Sequence, residues 1–314
     1  MELHYGILST SSIAPRFIAA LRAANAGNIL ALSSRSLEKA REKAAQWDIP
    51  VYYGSHRELL EDPRIHIVYI STVNSQHYPW AKAALEHGKH VVCEKPCTVS
   101  AAQTRELFTL AREKKLFFME AQKMLFLPTI LEVRRRIEEG LLGQIHMVYM
   151  STSFSAAYNT WLFDKEAGGG TLLSSGIYGA ELIRWLFGPI RTIQGQKNAL
   201  ENGVEWQFIF SGTTESGVQF SCHNSTRAML DNTARIFGSE GWVEIPEFWK
   251  ARKAVFHLPG KEPEVVCFPC EHELMYEAQH IQQCLNAGLL TSPVVTEELS
   301  IDGIATLEAI QKTW

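Results

Sequence analysis

Residues 4–14, His4-Tyr5-Gly6-Ile7-Leu8-Ser9-Thr10-Ser11-Ser12-Ile13-Ala14, pass from an apolar run into a turn of small residues and then into a helical pattern. His4–Leu8 has the length and apolarity of a strand. From Ser12 to Ala24, Ile13, Phe17, Ala20, Leu21 and Ala24 share one helical stripe. A dinucleotide fingerprint at this place would put glycine at 9 and 11 and glycine or alanine at 14. This chain has Ser9, Ser11 and Ala14. Small residues still let backbone approach a pyrophosphate at a helix N-terminus. The side chains of Ser9, Thr10, Ser11 and Ser12 add hydroxyl donors beside Ile13. The same segment also reads as a serine-capped helix that binds nothing.

Outward from this turn, strand and helix signals alternate. Asn28–Leu32, Pro50–Tyr53, Ile65–Ser71, His90–Cys93 and Leu116–Met119 read as strands. Helices are expected at Leu37–Trp47 and at Pro79–His87, the latter stopped by Gly88. Ser100-Ala-Ala-Gln103 has the form of a capping box and opens a helix to about Lys114. Alternation of this kind predicts a doubly wound parallel sheet with helices on both faces. Past residue 120 the pattern changes. A helix at Thr129–Glu139 and a long strand at Ile145–Phe154 precede a loop, Asp164–Gly170, that ends in three glycines. A helix at Tyr178–Phe187 follows. Glu205–Phe210, Gly217–Asn224, Thr233–Phe237, Trp242–Ile245 and Ala254–Leu258 then read as a meander. Helices near 273–286 and 298–312 close the chain. The expected fold class is α/β, with a doubly wound domain over 1–120. An α+β domain with a large, open, mostly antiparallel sheet is expected over 121–314, its final helices free to pack back on the first domain.

A chain of 314 residues suits about two such lobes. An apolar fraction of 46% and a charged fraction of 20% exclude wholesale disorder. The net charge of −4 offers no basic body for nucleic acid. No apolar run is long enough to span a membrane. Residues 1–20 lack a basic stretch ahead of an apolar one, so a secretory signal is not expected and a cytoplasmic protein is. Residues 1–120 hold 15 basic and 12 acidic side chains, and the remainder 15 and 22. The first lobe therefore suits an anionic small ligand better than the second. Six cysteines in such a chain read as reduced thiols. Cys267-Phe-Pro-Cys270 lacks the partners of a zinc site, and no metal is expected.

Three further segments sit at predicted strand ends, the edge where open α/β sheets bind ligands. Ser33-Ser34-Arg35-Ser36 has no carboxylate for a ribose 2′-OH. Arg35 instead offers a fork to a 2′-phosphate, with Ser34 and Ser36 as added hydroxyls, which favours NADP over NAD. Ser71-Thr72-Val73-Asn74-Ser75-Gln76-His77 places Thr72, Asn74 and His77 at the next strand end. Cys93-Glu94-Lys95-Pro96 places a lysine after a buried strand, where it can stabilise alkoxide charge, with Glu94 as a partner. A surface ion pair before a loop proline is the plainer reading.

Together with Ser34-Arg35-Ser-Leu-Glu-Lys-Ala40, Gly88-Lys-His-Val-Val-Cys-Glu94-Lys95-Pro96 and Gly168-Gly-Gly170, these segments resemble the glucose–fructose oxidoreductase/inositol dehydrogenase (Gfo/Idh/MocA) family, in its dihydrodiol dehydrogenase-like branch. The likeness runs over essentially the whole chain, and Glu94-Lys95-Pro96 is its most specific part. It implies a nicotinamide-binding Rossmann domain and a C-terminal sheet that often forms a homodimer face. It also implies reversible hydride transfer between NAD(P) and a carbinol of a sugar, polyol or diol. Lys95 and Pro96 would lie at the nicotinamide, with a cis Lys95–Pro96 bond allowed. In Leu173-Ser174-Ser175-Gly176-Ile177-Tyr178, Tyr178 matches the tyrosine of the dihydrodiol-type members. A phenol with an ordinary pKa of about 10 needs a nearby cation to exchange protons at neutral pH, a role that falls to Lys95. Ser174 replaces a common aspartate and Leu125 a common arginine, which favours a smaller or less polar substrate, with Trp161 and Phe163 as candidate aromatic walls. The same departures leave open a non-catalytic, dinucleotide-binding regulator on this scaffold. A redox-neutral enzyme that oxidises and re-reduces one substrate is a third reading.

Overall fold

The computed structural model describes residues 3–157 and 160–314. Met1 and Glu2, part of the segment read for a secretory signal, lie outside them, as do Tyr158 and Asn159. The chain folds into two compact units. One comprises residues 1–122 and 272–300, the other 123–271 and 301–314.

In the first unit, six strands are all parallel: β1 (His4–Leu8), β2 (Asn28–Ser33), β3 (Val51–Tyr53), β4 (Ile67–Ile70), β5 (His90–Glu94) and β6 (Phe118–Ala121). Their order is β3-β2-β1-β4-β5-β6. The connection reverses between β1 and β4, the switch point at which such sheets bind ligands. All four residues of β4 are buried, as an apolar run covered on both faces requires. Helices α1 (Ala14–Ala24), α2 (Leu37–Gln46), α4 (His77–Glu86) and α5 (Ala101–Lys114) fall in the expected intervals. The six-residue α3 (His56–Glu61) is additional. Helix α8 (Met275–Asn286) packs on α1 in the same unit, and Arg16 pairs with the buried Glu273 beside it. Val68, Ile70, Val91, Leu107, Phe108 and Phe118 form the centre of the core.

Two capping expectations are corrected. Helix α1 starts at Ala14, with Ile13 before it and no side-chain cap. Pro15 fills the first turn, where an N–H would be unpaired anyway, and the Ser11 hydroxyl is drawn to Ser71 instead. At α5 the Ser100 hydroxyl makes no cap bond. The Thr98 hydroxyl takes over that corner, donating to Ser100 O (2.6 Å) and sharing a hydrogen bond with Thr104 (2.8 Å).

The second unit opens with α6 (Pro128–Glu138) and β7 (Ile145–Ser153). A π turn, Leu172–Gly176, leads directly into α7 (Ile177–Phe187). Seven further strands follow: β8 (Ile190–Ala199), β9 (Glu205–Thr214), β10 (Gln219–Ser225), β11 (Thr233–Gly238), β12 (Trp242–Pro246), β13 (Lys253–His257) and β14 (Glu264–Cys267). They form one sheet in the order β14-β13-β12-β11-β7-β10-β9-β8. Among the described residues, β7 and β10 are the one parallel pair of this sheet. Helix α7 lies close on the sheet, because a Cβ on Gly179 would meet Cys222 Sγ at 2.9 Å. Phe237, Trp242 and His257, on neighbouring strands, stack at centroid distances of 5.7 and 3.8 Å. Met147 and Ile209 are about half exposed on this sheet. The chain ends in α9 (Glu297–Gln311). Among the described residues, no helix is long and apolar enough to cross a membrane.

Candidate active site

The carboxyl ends of β1, β2, β4 and β5 gather every sequence-predicted site residue of the first unit. After β1, Ser9 takes φ +108°, the region that favours glycine, and donates its N–H to Ser33 O (3.2 Å). The Ser11 hydroxyl donates to Ser71 Oγ at 2.8 Å, which ties the first turn to the end of β4 across the switch point. Among the described residues, no acceptor pairs with the backbone N–H groups of Thr10, Ser11, Ser12 and Ile13. Ser12 is exposed. At the end of β2, Ser34 is buried and donates its N–H to Tyr53 O (3.1 Å), while Arg35 is exposed. The Ser36 hydroxyl is taken as the N-cap of α2, accepting from Lys39 N.

After β4, Thr72 Oγ1 is buried and has no hydrogen-bond partner among the described residues. Asn74 is buried at the start of a short 3-10 turn. His77 is 1% exposed and sits between two carbonyls, with Nδ1 2.8 Å from Pro96 O and Nε2 3.1 Å from Thr72 O. Burial lowers its pKa, while the two carbonyls favour the protonated ring. Its side chain thus clamps two loops together.

Lys95 lies half-buried just past β5, and its bond to Pro96 is cis. Three buried side chains hold this turn. His77 holds Pro96 O. Glu120 on β6, fully buried, accepts from Cys97 N–H at 2.8 Å. Tyr69 on β4 donates to the Glu94 carboxylate. Tyr69 is itself stacked on Phe17 of α1 at 3.7 Å, and burial pushes its pKa well up, so it stays a neutral donor. Sequence reasoning missed Tyr69 and Glu120. Each lies more than twenty residues from its partner, and nothing local marks the contact.

In the second unit, Tyr178 is the second residue of α7 and half-buried. The π turn that precedes it is a distortion that recurs at functional sites. Ser174, inside that turn, donates N–H to Gly170 O and hydroxyl to Thr171 O. The three-glycine run wraps the Trp161–Phe163 turn: Gly170 N–H donates to Leu162 O (2.6 Å) and Gly169 N–H to Asp164 O (2.9 Å). Gly170 has φ +114°, and a Cβ there would lie 2.3 Å from the carboxylate of Glu205. Glu205 is buried and accepts from Leu172 N–H (2.8 Å); burial pushes its pKa up. Of the two candidate aromatic walls, Phe163 is buried in a small cluster with Leu162 and Val204, whereas Trp161 is 44% exposed. Leu125 is wholly buried.

The first unit fits a dinucleotide. A helix start presents unpaired N–H groups beside small residues, which suits a pyrophosphate. The orphan Thr72 hydroxyl and the exposed Arg35 lie on the same sheet edge. Six cysteines are all free thiols.

Comparison with known proteins agrees with this geometry. Residues 3–122 match the family model described as an oxidoreductase family with an NAD-binding Rossmann fold. Residues 130–244 match the Gfo/Idh/MocA C-terminal domain. Trans-1,2-dihydrobenzene-1,2-diol dehydrogenase of Mus musculus is 32% identical over 308 residues, covering 94% of this chain and 92% of that protein. The Homo sapiens protein of that name is 31% identical over 310 residues, with the same coverage. Two solved structures share the fold. A 3-ketoreductase from Actinomadura kijaniata, in complex with NADP and TDP-benzene, superposes with a TM-score of 0.92 at 22% identity, covering 100% of this chain and 98% of that one. A levoglucosan dehydrogenase in complex with NADH and levoglucosan superposes with a TM-score of 0.90 at 18% identity, covering 100% and 97%. With both of its domains matched, and with relatives that align along nearly their whole length, this chain belongs to the Gfo/Idh/MocA family of nicotinamide-dependent oxidoreductases.

Proposed function

We propose that this chain is an NADP(H)-dependent dehydrogenase or reductase acting on a carbinol or carbonyl of a small diol, polyol or sugar. The observation that carries the reading is the Lys95 turn, which three buried side chains hold at the carboxyl end of β5, on the sheet edge that also bears the small-residue turn after β1. The names of the relatives at 31–32% identity favour a diol. A bound nicotinamide supplies the exchange of a hydride with the substrate carbon. Lys95 hydrogen-bonds the substrate oxygen and stabilises negative charge as it develops there. Tyr178 accepts the hydroxyl proton in the oxidative direction and returns it in the reductive one. Ser174, which stands where the resemblance implies a carboxylate, fits a substrate with few charges.

Arg35 supports the choice of NADP. It stands at the end of β2 with no acidic residue in Ser33–Ser36 to hold a free ribose 2′-OH. Arg35→Ala should weaken NADP at least about tenfold while NAD changes little, since one charge-assisted contact contributes about 1.5–3 kcal/mol. Equal losses in calorimetric titrations with the two cofactors would refute the assignment. The half-exposed face of the eight-stranded sheet, with Met147, Ile209 and the Phe237-Trp242-His257 stack, is proposed as a homodimer surface. The free thiols suit a reducing compartment such as the cytoplasm.

A further inference from the structure

Ser33, the last residue of β2, is fully buried and tied on both sides. Its carbonyl accepts from Ser9 N–H in the first turn (3.2 Å). Its hydroxyl shares a 2.8 Å hydrogen bond with His56 Nδ1. His56 opens α3 and is 7% exposed, its ring nearly perpendicular to that of Trp80 of α4 at a centroid distance of 4.9 Å. A buried imidazole therefore anchors the residue that leads into Ser34 and Arg35. Burial, and secondarily the charge of Arg35, hold the His56 pKa down to about 4, so the ring is neutral at neutral pH. Among the described residues, no carboxylate pairs with Arg35. A carboxylate in place of His56 could also bond Ser33, but it would draw the guanidinium to itself. A neutral anchor holds the strand end and leaves the cation to a ligand.

We propose that His56 is a positioning residue for cofactor choice: through Ser33 it holds the Ser34–Arg35 backbone so that the guanidinium meets the 2′-phosphate of a phosphorylated dinucleotide. This inference rests on the NADP reading above. It adds a residue outside the phosphate-contacting set, placed there by the fold and not by any local motif.

Equilibrium binding of NADP and NAD to the purified protein tests it. His56→Phe keeps a ring against Trp80 and cannot bond Ser33. His56→Asn places an amide where Nδ1 stood. Ser33→Ala removes the same hydrogen bond from the other side, in case the phenylalanine variant does not fold. In His56→Phe and Ser33→Ala, NADP should weaken roughly tenfold and NAD less than about threefold, as expected for one lost hydrogen bond. His56→Asn should recover most of the ratio between the cofactors. An unchanged ratio, equal weakening of both cofactors, or no recovery with asparagine overturns the role of His56. A wild-type protein that binds NAD as tightly as NADP overturns the cofactor reading itself. A wild-type preference for NADP that survives His56→Phe overturns this inference alone.

Discussion

Ser9 shows what a single side chain can and cannot reveal. As a letter in the sequence it departs from glycine, yet its backbone keeps the glycine-like φ of +108°. A non-glycine residue there is strained by about 1–3 kcal/mol, partly offset by the greater freedom of glycine in the unfolded chain. Ser9→Gly should therefore stabilise the protein by about 1 kcal/mol, read as a higher urea midpoint at unchanged slope. A lower midpoint would show that the serine makes a stabilising contact outweighing its strain. Arg35, Glu94 and Lys95 stand out in the sequence because charged side chains are unusual after buried strands, whereas Tyr178, on α7, stands out only through the family resemblance. The tethers Tyr69, His77, Glu120 and His56 act through partners 19 to 25 residues away, and apart from His77 they carry no local signal.

At the scale of elements, the parallel strands were legible as apolar runs and the long helices as stripes. Helix α3 was not, because six residues give too few turns for a period to show. Strand β8 was missed because it is exposed along most of its length, so no alternation marks it. The glycine run after the Trp161–Phe163 turn was legible as a loop, but its reason is tertiary. Gly170 admits the buried Glu205 carboxylate that holds the start of the π turn through Leu172 N–H. Gly170→Ala combines a left-handed φ with a Cβ–carboxylate overlap. It should cost about 2–4 kcal/mol and lower activity with the displaced α7 entry. Chemical denaturation and turnover measured on the same preparation check this. A stable Gly170→Ala protein of full activity would show that Glu205 moves aside freely.

For the whole molecule, the fold class followed from the change of pattern near residue 120. The sequence left the final helices free to return to the first domain but not which of them does; residues 272–300 do, because which helix returns to which sheet is a long-range choice. Stability should depend on acid through histidines whose pKa burial lowers. His56 is held at about 4 against an ordinary 6.5, and burial also lowers His66, His90 and His280. Between these values the unfolded chain binds more protons, so stability is full above about pH 6.5 and declines as pH falls toward 4. His56 alone contributes up to about 3 kcal/mol to that decline. Glu205, whose pKa burial raises, acts in the opposite sense. Urea unfolding of the wild type and His56→Asn at pH 7 and pH 4.5 should show a smaller acid loss in the variant; equal losses would show that His56 does not drive the decline.

Everything proposed for this site turns on Lys95 serving nicotinamide-dependent chemistry on a carbinol. The most direct measurement follows reduction of NADP+ across a panel of vicinal diols, polyols and sugars, for the wild type and Lys95→Met side by side, with cofactor affinity measured on both. The wild type should turn over at least one diol. In Lys95→Met, kcat should fall about 10²–10³-fold while NADP binds within a few-fold of wild type. Undiminished kcat in Lys95→Met, on any substrate the wild type oxidises, would contradict the role given to this lysine.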